Sequence, residues 1–181
     1  MTKGRLFAVV GPSGAGKDTL LAAACVVHPD LVLVRRVITR PADAGGEDFE
    51  GVSLAEFARR DAEGDFALTW DAHGLRYGIP RAALAGLAQG RPVVFNGSRA
   101  ALPQARTAFP ALIVVLVTAP DAVLSARLAQ RGREEPADIL ARLQRARFAL
   151  PPGISARVVV NDATPAEGLS RFLDALQPDR G

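Results

Sequence analysis

The sequence predicts an α/β fold in which helices flank a central parallel sheet. Three observations point there. Short apolar runs rich in Val, Leu and Ile alternate along the chain with stretches of helical periodicity. The first run ends directly in a glycine-rich loop that opens a helix. And 181 residues, 49% hydrophobic and 23% charged, suffice for one sizeable core but are short for two full domains.

Each element has its own justification. Leu6–Val10 is a short, wholly apolar strand, and Lys17–Val27 is the helix after the loop. Leu31–Val37, with its β-branched and leucine residues, predicts a second strand. Ser53-Leu-Ala-Glu56 is a capping-box sequence, so a short helix begins there. Pro92–Asn96 and Leu112–Thr118 read as strands flanked by helical patterns. Ser125–Gln130 and Ala137–Phe148 read as helices broken by Arg131-Gly-Arg-Glu-Glu-Pro136, and Arg157–Val160 as the last strand. Thr164-Pro-Ala-Glu167 places a capping residue, a proline and a glutamate where the final helix should open.

The span from Arg36 to Pro80 breaks this rhythm. It is rich in Gly, Asp and Arg and carries only short elements, the pattern of an inserted substrate-binding piece. The expected organisation is a single domain over 1–181. Its core spans about 1–35 and 81–181, its insertion about 36–80 and its lid about 131–136.

Composition excludes several classes. The net charge of +3, from 22 basic and 19 acidic residues, is too small to hold nucleic acid by bulk charge. Lys3 and Lys17 are the only lysines, so twenty of the basic residues are arginine. Cys25 alone permits no internal disulfide and fits a buried helix position. No run approaches the roughly 20 apolar residues that span a membrane, and no signal peptide is legible. A cytoplasmic location is expected, with no nucleic acid or membrane partner. A homo-oligomer is compatible with the sequence.

The strongest signal is Gly11-Pro12-Ser13-Gly14-Ala15-Gly16-Lys17-Asp18-Thr19, between a strand and a helix. The glycines let the chain curl with its amides inward, and these amides with the helix N-terminus form an anion cradle for the phosphates of ATP. Lys17 then reaches the β- and γ-phosphates and offsets charge developing in transfer. The pattern expects Ser or Thr after the lysine as a Mg2+ ligand, but Asp18 stands there. The readings left open are that Asp18 is a carboxylate ligand to Mg2+, that it only complements the helix dipole, or that Thr19 supplies the hydroxyl.

Gly11–Lys17, Thr39-Arg40-Pro41, Gly46-Glu47, Tyr77-Gly78, Arg127-Leu-Ala-Gln-Arg131-Gly132 and Arg142-Leu143 follow the order seen in guanylate-kinase-like nucleotide kinases. The chain resembles that family over roughly Leu6 to Leu173. The resemblance implies a P-loop kinase core, a substrate-binding insertion and a closing lid. The departures concern the acceptor. Where guanylate kinases read guanine with a carboxylate, this chain has Leu68; the hydroxyl usual after Tyr-Gly is Ile79; and the second arginine of the substrate-phosphate pair is Asp43. Loss of polar readers costs orders of magnitude in selectivity, which argues against GMP.

The blocks Gly11–Asp18, Arg35–Asp48, Trp70–Pro80 and Asn96–Arg99 resemble instead the ribose 1,5-bisphosphate phosphokinases, bacterial enzymes associated with phosphonate breakdown. That resemblance implies transfer of the ATP γ-phosphoryl to ribose 1,5-bisphosphate, giving 5-phosphoribosyl 1-diphosphate (PRPP) and ADP, and it includes Lys-Asp at positions 17–18. A phosphate acceptor is already ionised, so catalysis there is positioning and charge neutralisation. Arginine suits two further phosphates, and Arg36, Arg40, Arg76 and Arg99 are the candidates for them. Tyr77 is placed in the substrate pocket by the resemblance, or else packs half-buried. His73 either donates to a sugar hydroxyl or lies at the surface, and Trp70 is expected in the core beside Phe66. Asn96 and Ser98 end a strand, the usual crevice of an open α/β sheet. Arg131 and Arg142 are the lid arginines, with Arg133, Arg145 and Arg147 less tied to the site. Glu134 and Glu135 are expected to pair with arginines at little energetic value. Asn161 and Asp162 end the last strand near the ATP base, or merely form the turn before Thr164.

Two other readings remain at this stage. A nucleoside monophosphate kinase of altered base preference needs a polar reader that Leu68 and Ile79 do not supply. A guanylate-kinase-like peptide-binding module tends to lose the loop lysine and lid arginines, which are all present here.

Overall fold

Period-two alternation in the first strand decides the architecture. In β1 (Leu6–Val10) Phe7 and Val9 enter one core, and Leu6, Ala8 and Val10 enter another. A strand apolar on both faces must be covered on both, which is the signature of a parallel α/β sheet. The computed structural model describes residues 4–132, 135–146 and 148–178, and within the helix over 136–146 the side chains of 137–141 and 143.

The strands after β1 are β2 (Val32–Leu33), β3 (Arg36–Ile38), β4 (Phe49–Gly51), β5 (Phe66–Ala72), β6 (Leu75–Pro80), β7 (Val93–Asn96), β8 (Ile113–Thr118) and β9 (Arg157–Val160). The helices are α1 (Lys17–Val27), α2 (Leu54–Ala62), α3 (Leu102–Ala108), α4 (Asp121–Arg131), α5 (Pro136–Ala146) and α6 (Pro165–Ala175). Arg81–Leu87 and Arg99–Ala101 are 3-10 turns.

Five strands pair in the order β2-β7-β1-β8-β9, all parallel. Parallel pairing sets the carboxyl ends of β1, β7, β8 and β9 along one edge, where ligands of open α/β sheets bind. One face is covered by α1, α4 and α6 through Leu20, Leu21, Leu124 and Phe172. The other is covered by α3 and by residues of β5 and β6, namely Leu68, Trp70 and Ile79.

Residues 36–80 form a second sheet, ordered β4-β3-β6-β5, with mixed pairing. Its far face carries α2, whose Phe57 packs with Val37 and Phe66 and stacks on Phe66 with centroids 4.7 Å apart. The Ser53 side chain accepts from Glu56 N at 3.1 Å, so the capping serine starts α2 as its sequence requires.

Three expectations are corrected. The strand expected over Leu31–Val37 is two strands in different sheets, β2 beside β7 and β3 beside β4 and β6. The apolar run hides the break because each half is buried by a different partner. Trp70 is in the core, but beside Leu68 and Ile79 rather than Phe66; a register irregularity between Phe66 and Leu68 separates them. The helix expected from Ser125 begins at Asp121, just after Pro120, and the next ends at Ala146, before Phe148.

Candidate active site

The loop after β1 is shaped by close approach. A β-carbon on Gly11 would lie 2.0 Å from the Val117 carbonyl oxygen, so only glycine lets β1 turn beside β8. Gly16 is left-handed (φ 89°), and a β-carbon there would meet Asn161 Nδ2 at 2.6 Å. Gly16 is also the N-cap of α1, with no side-chain cap, so first-turn amides of α1 are left for a ligand. Lys17 Nζ donates to Gly11 O at 2.8 Å and Pro12 O at 3.2 Å, which holds the ammonium across the loop. Burial pushes its pKa below the usual lysine value; Asp18 pushes it back up, Arg36 adds to the fall and Glu47 opposes it.

Those four charges mark one corner of the site. Asn96, at the end of β7, donates from Nδ2 to Asp18 Oδ1 at 2.7 Å. Its backbone carbonyl accepts from Arg36 Nη1 at 2.8 Å. Arg36 is bound twice by Glu47, through Nε to Oε2 at 3.1 Å and through Nη2 to Oε1. The Arg36 guanidinium carbon also lies 5.1 Å from the Tyr77 ring centroid and 6.0 Å from that of Trp70. A chain of polar contacts thus runs from Glu47 in the 36–80 segment to Asp18 beside the phosphate loop.

A second corner lies across α1. A cleft of about 300 Å³ is lined by Gly14, Gly16, Thr19, Arg127, Arg131 and Asn161, among others. Asn161 is buried, donates from Nδ2 to Ala15 O at 2.8 Å, and receives a bond at its carbonyl from Arg127 Nη2 at 2.8 Å. Arg127 Nη1 reaches Gly14 O at 3.4 Å. Asp18 and Thr19, adjacent on α1, point to different corners, as the 100° step per helical residue requires.

The structure therefore brings Lys17, Asp18, Asn96, Arg36 and Tyr77 together, and sets Thr19, Asn161 and Arg131 around the neighbouring cleft. Arg40 donates from Nη2 to Gly45 O and lies over Phe49, 4.8 Å from its centroid, holding the loop after β3. Arg76 and Tyr77 are consecutive on β6 and so face opposite ways. Arg76 turns to α2, over Phe57 and 3.3 Å from Asp61 Oδ2, away from the Tyr77 face. Arg99 lies over Phe148 at 4.9 Å, and Asp162 pairs with Arg171 at 2.9 Å. His73 is exposed in the β5–β6 turn with φ 54°, followed by left-handed Gly74. Cys25 is half-buried, and burial pushes its thiol pKa up. Arg142 lies on α5 with its side chain outside the described residues, as does that of Arg145; Arg133, Glu134 and Arg147 lie outside them entirely.

Sequence reasoning missed two participants. Arg127 stands one helical turn before Arg131 on the same face of α4, a spacing that was available to it. Glu47 stood in a quoted motif, but only the tertiary fold reveals its pairing with Arg36.

No protein-family model matches the chain. In fold it is similar to the guanylate kinase of Anaplasma phagocytophilum, with a TM-score of 0.66 at 20% identity, covering 97% of this chain and 86% of that one. It is 48% identical over 96% of its length to the bifunctional ribose 1,5-bisphosphokinase-thymidine phosphorylase of Cupriavidus necator, of which it spans only 29%. It is 45% identical to the ribose 1,5-bisphosphate phosphokinase of Agrobacterium fabrum, covering 97% of this chain and 98% of that protein. Against the enzyme of the same name from Acidiphilium cryptum the identity is 52%, over 96% and 92% of the two chains. With whole-length kinship at this level and a phosphate loop built as described, the chain belongs to the ribose 1,5-bisphosphate phosphokinase family.

Proposed function

We propose that the chain transfers the γ-phosphoryl group of ATP to the 1-phosphate of ribose 1,5-bisphosphate, releasing ADP and PRPP. One observation carries this reading. An intact phosphate loop with its lysine faces an acceptor side where positions 68 and 79 are buried leucine and isoleucine, 3% and 1% exposed. Such a site neutralises phosphates and has no polar group at those positions to read a base.

The roles follow from the geometry. Gly11 to Thr19 cradle the triphosphate, and Lys17, released from the Gly11 and Pro12 carbonyls, follows the charge onto the β- and γ-phosphates. The cleft beside Asn161 takes the adenosine end, where Asn161 and Arg127 brace the loop. Arg131, in the piece over about 131–136, and Arg142, on the helix that follows it, serve the part that closes on the transferring group. The 36–80 segment holds the acceptor, with Arg36 beside Tyr77 and joined through Asn96 of β7 to Asp18, and with Arg40 in the loop after β3. Arg76 serves the packing of α2 and not the acceptor.

Mg2+ enters with ATP. Among the described residues no cluster of three metal-ligating side chains exists, which suits an ion held by one carboxylate and substrate phosphates. Asp18 fits that part: Asn96 donates to one of its oxygens, and the carboxylate would hold the ion, which would supply charge neutralisation to the phosphates. A place in phosphonate breakdown and in the cytoplasm is part of the same proposal.

The test is ADP release measured across ribose 1,5-bisphosphate, GMP, dGMP, AMP and UMP. The bisphosphate is expected to turn over fastest. Faster turnover with GMP would replace this reading by that of a nucleoside monophosphate kinase.

A further inference from the structure

Among the described residues, Trp70 and Tyr77 form an aromatic pair on the core-facing side of β5 and β6, with centroids 5.3 Å apart and planes within 5°. Beside a phosphate loop, such a pair is a natural stacking platform for a nucleobase. It is already taken. The guanidinium of Arg36 lies over both rings, and Arg36 is only 6% exposed. It is also fixed from two sides, by Glu47 and by the Asn96 carbonyl. A planar base would need the place that the guanidinium fills.

We propose that Arg36, locked by Glu47, is the residue that excludes nucleobases from the acceptor side, by lying as a permanent cover on the Trp70–Tyr77 pair. This deepens the proposed sugar-phosphate specificity and rests on the same assignment of the acceptor side. Buried Leu68 and Ile79 only withhold hydrogen bonds from a base, a passive form of discrimination. A covered platform denies it the stacking surface as well, and discrimination by blocking is the stronger device. Arginine suits the part better than lysine, because its planar fork lies flat on aromatic faces while bonding a carboxylate with two N–H groups. The cover is polar on its rim: three of the five guanidinium N–H groups are used by Glu47 and Asn96, and the remaining two are free to approach a phosphate.

Trp70, the only tryptophan, reports the test directly. Its fluorescence is titrated with GMP and AMP, and with ribose 5-phosphate as the base-free control. In the unaltered protein the nucleotides should bind no better than the control and leave Trp70 unquenched. In the double variant Arg36→Ala/Glu47→Ala, which removes both partners and strands neither charge, GMP should quench saturably and bind about five- to a hundredfold tighter. Ribose 5-phosphate should gain nothing. Glu47→Gln, which loosens the guanidinium without removing it, should show a smaller gain in the same direction and guards against a double variant that does not fold. Quenching by GMP in the unaltered protein, or no base-dependent gain in any folded variant, overturns the proposal. Because the readout is equilibrium binding, the outcome is separate from whether ribose 1,5-bisphosphate is turned over.

Discussion

At the residue scale, Lys17 rests on the loop carbonyls from which the proposed transfer would release it. Its ammonium spans the loop through Gly11 O and Pro12 O while burial works against its charged form. A triphosphate supplies negative charge that the loop carbonyls only imitate, so the lysine gains most when charge builds on the transferring group. Lys17→Ala should lower kcat by about 10²- to 10³-fold with little change in unfolding midpoint. Steady-state kinetics with thermal unfolding checks this, and an unchanged kcat contradicts the role. Lys17 and Asp18 were legible in the sequence because a loop motif is local. The engagement of Arg36 was not, since its partners Glu47 and Asn96 stand 11 and 60 residues away and no local pattern encodes that meeting. The position of Arg76 was not legible either: strand alternation, invisible until β6 is placed, turns Tyr77 to Trp70 and sends Arg76 to α2.

At the element scale, caps and strands differ in how far sequence carries. The box at Thr164 forms as its spacing requires. Glu167 N donates to Thr164 Oγ1 at 3.3 Å, and Glu167 Oε2 accepts from Thr164 N at 3.0 Å. This opens α6, which seats Phe172 in the core under β9. Thr164→Ala should cost about 1 kcal/mol in urea unfolding. The bonds from Thr164 hold the Glu167 carboxyl below its usual pKa. A depressed folded pKa means the contribution is full above the ordinary glutamate range and is lost as pH falls through the depressed value. The gap between the two proteins should therefore be constant near neutrality and narrow on acidification; a gap that widens in acid contradicts the assignment. The β2–β3 boundary was not legible, because Leu31 to Ile38 is continuously apolar but for Arg35 and Arg36, and only partner strands divide it.

At the scale of the whole molecule, the parallel sheet sets one edge for ligands and the 36–80 segment adds a second sheet beside it. They are joined by the apolar packing of Leu68, Trp70 and Ile79 and by the polar chain from Glu47 through Arg36 and Asn96 to Asp18. The net charge of +3 told little about function, whereas the placing of cations tells more: Lys17 crosses the loop, Arg127 and Arg131 border one cleft, and Arg36 covers an aromatic pair. The alternation of strands and helices made the core legible. The proposed acceptor side was less so, because its residues come from β3, β5, β6 and β7 at once.

In the proposed reaction the acceptor atom is a phosphate oxygen on a sugar. Phosphorus-31 NMR of the reaction with ribose 1,5-bisphosphate, ATP and Mg2+ tests it most directly. The sugar 1-phosphate resonance is expected to give way to the two mutually coupled resonances of a diphosphate ester, in step with ADP. ADP formed without the diphosphate ester, or an unchanged 1-phosphate resonance, would contradict it.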